Sequence, residues 1–226
     1  MTPSQTDLDA IEKAVTAAES KTTGEIAVVL ASAVSDYREI PLAYAAGAAL
    51  IAPPIALWLG ADAAALMGGA WSVAHAAALD RNVALAISLY AAAQALTFTL
   101  VYLLVSLRAI RRALTPGFLK RERAHKAAMA QFLATGLDGS AERTGVVIFA
   151  ALDDHVVEVV ADRAIHEKVG ASAWEDAVRA MQEGLKRGAL GEGIARGVEL
   201  CGAALAAHFP GGGDNPNRVT DAPRVI

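Results

Sequence analysis

Glu25, Asp153, Asp154 and Asp162 all fall at the ends of predicted strands. Carboxylates are hard oxygen ligands, and such a set suits a cation of the Ca²⁺ type. Acids at strand ends equally serve turns and helix caps, so the structural role stands beside the metal role. His155 adjoins two of these acids and is the one histidine placed to join them. His75, His125, His166 and His208 show no HExxH or comparable pair spacing. Hydrolysis of a phosphate ester would need a nucleophile or a metal-activated water, together with groups that stabilise the transferring phosphoryl charge. The usual signatures are missing. Cys201 has no arginine six residues on, no GxxxxGK[ST] loop occurs, and Gly191-x-Gly193 and Asp7-Leu-Asp9 belong to predicted helices. As the single cysteine, Cys201 also excludes an intrachain disulfide or a cysteine metal cage.

The elements that would position these acids read as an α/β pattern. Residues from Thr6 to Ser20 place Leu8, Ile11, Val15 and Ala18 at helical spacing, with Thr6 or Asp7 available as a cap. Glu25 to Ala31 is a β-branched apolar run, the signature of a buried strand. A helix over Phe118 to Leu137 carries Phe118, His125, Met129, Phe132 and Leu133 on one side, and Gly136 and Gly139 close it. Strands follow at Gly145 to Leu152 and His155 to Asp162, with Asp153 and Asp154 in a tight turn between them. Ser172-Ala-Trp-Glu175 has the capping-box pattern and opens a helix striped by Trp174, Ala177, Val178, Met181 and Leu185. A last helix carries Ile194, Val198, Cys201 and Leu205 and stops at Phe209-Pro210. Together these make a small mixed sheet flanked by helices.

A pair of apolar stretches interrupts that pattern. Pro41 to Gly60 and Val83 to Leu107 are each uncharged over about 20 residues or more, long enough to cross a hydrocarbon core. Pro53-Pro54 should kink the first, and Tyr44 and Trp58 suit the membrane interface. The expected division is residues 1–40 and 108–210 as two parts of one α/β domain, 41–107 as a transmembrane hairpin, and 211–226 as a flexible Gly/Pro-rich tail. Arg38 precedes the hairpin, and Arg108, Arg111, Arg112, Lys120, Arg121, Arg123 and Lys126 follow it, whereas the connection holds only Arg81. This asymmetry puts both termini and the α/β domain in the cytoplasm, the chain being a multi-pass protein of the cell membrane. MTPSQTDLDA lacks the features of a signal peptide, so insertion is expected to use the hairpin itself. The bilayer is thus one expected partner, with anionic headgroups near Arg108, Arg111 and Arg112. A net charge of -4 offers nothing to nucleic acid.

Several short motifs, in order, carry a resemblance. Thr23-Gly24-Glu25-Ile26 leads into the first strand, Arg143-Thr144-Gly145-Val146 into the second, Leu152-Asp153-Asp154 ends it, and Ala161-Asp162 follows the third. With Arg123-x-His125, Gln131-Phe132-Leu133 and His208-Phe209-Pro210, the chain resembles the TPM-domain family, in a bacterial branch with a membrane hairpin inside the domain. The family includes a plant thylakoid acid phosphatase, photosystem II repair factors and an auxiliary protein of an animal acetylcholine receptor. The resemblance implies two functional readings. One is a membrane-tethered accessory module for a membrane complex, with small residues such as Ala45–Ala49 and Ala91–Ala93 allowing close helix packing. The other is a divalent-metal-dependent, phosphatase-like hydrolase, Ca²⁺ being implied by relatives that bind it. The better-known relatives work outside the cytoplasm, whereas the charge pattern places this domain within it.

Overall fold

Every residue of the first strand is buried, and its neighbours explain why. The computed structural model describes residues 2–59, 79–136, 144–170, 172–211 and 219–226. Helix α1 (Gln5–Glu19) leads to β1 (Glu25–Ala31). Next come α2 (Glu39–Trp58), α3 (Leu79–Ser106), the short α4 (Arg108–Leu114) and α5 (Gly117–Ala134). Strands β2 (Gly145–Ala151) and β3 (Val156–Ala161) precede α6 (Arg163–Val169), α7 (Ser172–Arg187), α8 (Leu190–His208) and β4 (Arg224–Val225). The sheet order is β3-β2-β1-β4, with β1 parallel to β2 and β4, and β2 antiparallel to β3. This is the mixed sheet the sequence predicts.

Both faces of the sheet are covered, so a strand with apolar residues at every position is stable where an alternating one would not be. Ile26, Val28 and Leu30 of β1, with Val146 and Ile148 of β2, pack under α1, α7 and α8. The intervening Ala27, Val29, Val147 and Phe149 pack on α5. The buried stripe of α5 is Ala124, Ala128 and Phe132. Of the residues read as sharing one side of this helix, Phe132 is buried, whereas Phe118 is 66% exposed and Leu133 58%. Alanines let the helix lie close to the strands, and that closeness turns Phe118 and Leu133 aside. On the opposite layer α7 and α8 touch through glycine. A Cβ on Gly184 would lie 2.4 Å from Gly193 Cα.

Three local expectations are corrected. The cap of α1 is Ser4, whose hydroxyl accepts from the Asp7 N–H while Asp7 Oδ2 accepts from the Ser4 N–H at 3.0 Å, so Asp7 is the third-position partner of the capping box. Residues 163–169 form a helix that the sequence reading omitted. The tail is not flexible to its end: Arg224 and Val225 pair with Val29 and Leu30, and the Ile226 N–H donates to Leu30 O at 2.9 Å. β1 would otherwise be an open edge, and the chain end covers it. Residues 212–218, Gly139, Arg143, the hairpin connection at 60–78 and Ala171, which precedes α7, lie outside the described residues.

The chain divides into two compact units, Tyr37–Thr115 and the remainder. Within the first, α2 and α3 pack against each other, with Ala45 and Ala49 buried. Ala46, Ala49 and Leu50 line a small recess with Gln94, Ala95 and Phe98. Outward-facing residues of this unit are large and apolar: Leu50 is 66% exposed, Ile87 63% and Leu96 61%.

Candidate functional site

The carboxylates singled out by the sequence lie at opposite ends of the sheet. At the carboxyl ends of β1 and β2 the ladder continues into the turn: the Leu152 N–H donates to Ala31 O at 2.9 Å and the Asp153 N–H to Ser32 O at 3.0 Å. Asp154 is buried, and its Oδ2 accepts the Val34 N–H at 3.2 Å. One residue beyond Val34, Ser35 Oγ accepts from the Arg123 guanidinium of α5 at 2.5 Å. A buried carboxylate, a guanidinium and a hydroxyl thus collect where parallel strands end, the place where open α/β sheets bind ligands. His155 takes a positive φ of 50° to close the turn and is exposed. Its conformation serves the reversal between β2 and β3.

Glu25 and Asp162 are at the other end. Asp162 caps α6, Oδ1 accepting the Ala164 N–H at 3.1 Å, while its own N–H donates to Gly145 O at 2.9 Å. Gly145 is in register with Glu25, so Asp162 and Glu25 flank it on either side, two strand spacings or about 10 Å apart. The length of β2 separates both from Asp153 and Asp154, about 20 Å for seven residues. The proposed ligand set of Glu25, Asp153, Asp154 and Asp162 therefore does not form a single metal site. Among the described residues, no three His, Cys, Asp or Glu side chains gather suitably for a metal ion.

Two acids missed in the sequence accompany Glu25. Glu19, half-buried at the end of α1, accepts the Ile26 N–H on Oε1 at 2.7 Å. Burial, together with the charges of Glu25 and Asp221, pushes its carboxyl up to about 7. Asp221 accepts from Thr16 Oγ1 at 2.5 Å, which pins the C-terminal segment to α1. Glu19 closes a helix only six residues before Glu25, a signal available in the sequence. Asp221 lies in a stretch whose composition reads as tail.

A third polar feature is on β3. Glu158 faces α5, and its Oε2 lies 3.5 Å from His125 Nδ1, while Arg163 Nε lies 2.8 Å from Glu167 Oε1. Cys201 is fully buried, and desolvation pushes its thiol up to about 12, which removes it as a nucleophile in the folded state.

A family model described as the TPM domain matches residues 109–204, from α4 into α8. No curated protein matches the chain. Among solved structures, the NMR structure of the BA42 protein from the psychrophilic bacterium Bizionia argentinensis is similar, with a TM-score of 0.55 at 17% identity. That similarity covers 100% of this chain and 97% of the other, and it is a likeness of fold.

Proposed function

Given a chain whose residues 109–204 carry a TPM domain, we propose that it is a membrane-tethered binding module, accessory to a membrane complex. The observation that carries this reading is the exposure of the apolar hairpin. Two helices, Glu39–Trp58 and Ala86–Ser106, are long and apolar enough to cross a bilayer. The spanning window of the first is 28% buried and that of the second 0% buried. A core helix of a soluble protein would hide such a surface, since exposing it to water costs about 25 cal/mol per Å². The α/β unit enters this hairpin at Asp36 and resumes at Pro116, so the tether leaves and rejoins the domain in mid-chain. Tethering raises the effective concentration of the domain for partners in the same membrane. Arg108, Arg111 and Arg112, directly after the second span, suit anionic headgroups on the cytoplasmic side.

The test is co-purification. A membrane partner retained by the intact protein and lost when 41–107 is replaced by a soluble helical hairpin supports the module. A protein that extracts from membranes with alkaline carbonate contradicts it.

A second reading rests on Asp154, Arg123 and Ser35 at the carboxyl ends of β1 and β2. It is a divalent-dependent hydrolase of phosphate esters, in which Asp153 and Asp154 would hold the cation and Arg123 would stabilise phosphoryl charge. Turnover of a generic phosphate ester by detergent-purified protein, dependent on Ca²⁺ or Mg²⁺ and lost in Asp153→Asn/Asp154→Asn, would establish it. Turnover equal to that of the double variant would remove it.

A further inference from the structure

Helix α2 runs unbroken through Pro53 and Pro54. Proline has no N–H, so the carbonyls of Ala49 and Leu50, four residues earlier, lose their ordinary donors in the helix. In water such carbonyls are solvated at little cost. In hydrocarbon they are not, and a spanning helix keeps its prolines where a neighbouring group serves the freed oxygens.

Gln94 lies close by, near the middle of the second span and half-buried. Its amide carries two N–H donors and an acceptor oxygen. Among the described residues its one hydrogen bond runs from Nε2 to Tyr90 OH at 3.5 Å, the far limit of such a bond. The hydroxyls of Thr97 and Thr99 are instead satisfied within α3, each donating at 2.8 Å to a carbonyl of the preceding turn. Ala49, Leu50 and Gln94 line one recess of about 350 Å³, with Ala46, Ala95 and Phe98 completing its wall. Spare acceptors and spare donors therefore meet at one open place at mid-membrane depth. The small side chains of Ala46 and Ala95 let another helix approach closely.

This set is complementary to a copy of itself. Each hairpin offers amide N–H groups and holds carbonyls that need them, so two hairpins related by a two-fold axis can each supply what the other lacks. A helix of other sequence would have to bring both kinds of group at matching spacing. We propose that two copies of the chain associate in the bilayer through this recess, Gln94 of each donating to the Ala49 and Leu50 carbonyls of the other. This rests on the reading of α2 and α3 as membrane spans, and it names a partner for the hairpin. The product is a four-helix unit.

The experiment measures energy transfer between detergent-purified full-length copies labelled at Lys13→Cys on a Cys201→Ser background, over a dilution series. Gln94→Leu should raise the dissociation constant about ten-fold, each interhelical bond being worth about a factor of three and the dimer losing two. Pro53→Ala/Pro54→Ala returns an N–H to both carbonyls within α2 and should weaken the dimer by a similar factor, although the helix itself is stabilised. Combining the two sets of changes should weaken it no further, because they remove the same bonds. Additive losses would mean that the prolines act through helix shape, and would overturn the pairing. A monomer before these changes, a dimer unaltered by Gln94→Leu, or a different membrane protein retained through Gln94 in place of a second copy would overturn it as well. Alkaline carbonate treatment of the source membranes keeps the two readings apart. A monomer that stays in the membrane pellet removes the dimer and leaves the tether standing, whereas release of the protein removes both.

Discussion

Glu19 Oε1 accepts the backbone N–H of Ile26 at 2.7 Å, so the last carboxylate of α1 secures the start of the central strand. The same carboxylate is held near Glu25 and Asp221, an arrangement that favours its protonated form.

A pH dependence follows. Glu19 is raised from 4.5 to about 7 by burial first, then by Glu25 and Asp221. The folded state therefore binds this proton more tightly than the unfolded chain. Its stabilising contribution is complete below about 4.5 and is lost as pH rises through about 7. Glu19→Gln should flatten the fall in urea midpoint over that window and raise stability at pH 8 by about 1 kcal/mol, after discounting for solvent screening of a half-exposed group. An unchanged slope in the variant would show that another group governs the window.

Packing between α7 and α8 depends on the absence of a side chain. In Gly193→Ala the new Cβ would lie 2.6 Å from Gly184 Cα, a backbone atom that can yield only if the helices separate. A loss of about 2–3 kcal/mol is expected from denaturation curves. Gly47→Ala, with nothing within 4 Å of its Cβ, should be tolerated. Equal stability of the two variants would refute the close crossing.

Cys201 should be silent to thiol reagents. With its thiol buried and raised to about 12, a maleimide should label it only after denaturation. Rapid labelling of the native protein would mean that α8 is open on that side.

Asp154 is a structural anchor whether or not a cation binds beside it. Asp154→Ala removes the acceptor of the Val34 N–H and should cost about 1–3 kcal/mol, measured in excess chelator. Added Ca²⁺ should raise the midpoint of wild type relative to this variant only if the hydrolase reading holds.

Much of the fold was legible because local chemistry and tertiary context agree. β1 has the predicted limits, since a buried parallel strand needs the uninterrupted apolar run that it displays. β4 was illegible because a two-residue strand has no periodicity, and its pairing is dictated by the edge of β1. On α5 the buried Phe132 was legible, whereas Ala124 and Ala128, which let the helix lie close to the strands, do not stand out as an apolar face. The acids were found as strand ends without regard to which end. Glu25 opens β1 and Asp153 follows β2, and in parallel strands those positions are a full strand length apart.

Membrane topology tests the tethered module most directly. On a Cys201→Ser background, Ser72→Cys in the hairpin connection and Lys13→Cys in α1 would each be exposed to a membrane-impermeant maleimide in spheroplasts. Labelling of Ser72→Cys alone, with Lys13→Cys reacting only after lysis, is the expected result. Labelling of Lys13→Cys in intact spheroplasts, or recovery of the protein in the soluble fraction, would contradict a domain anchored on the cytoplasmic face.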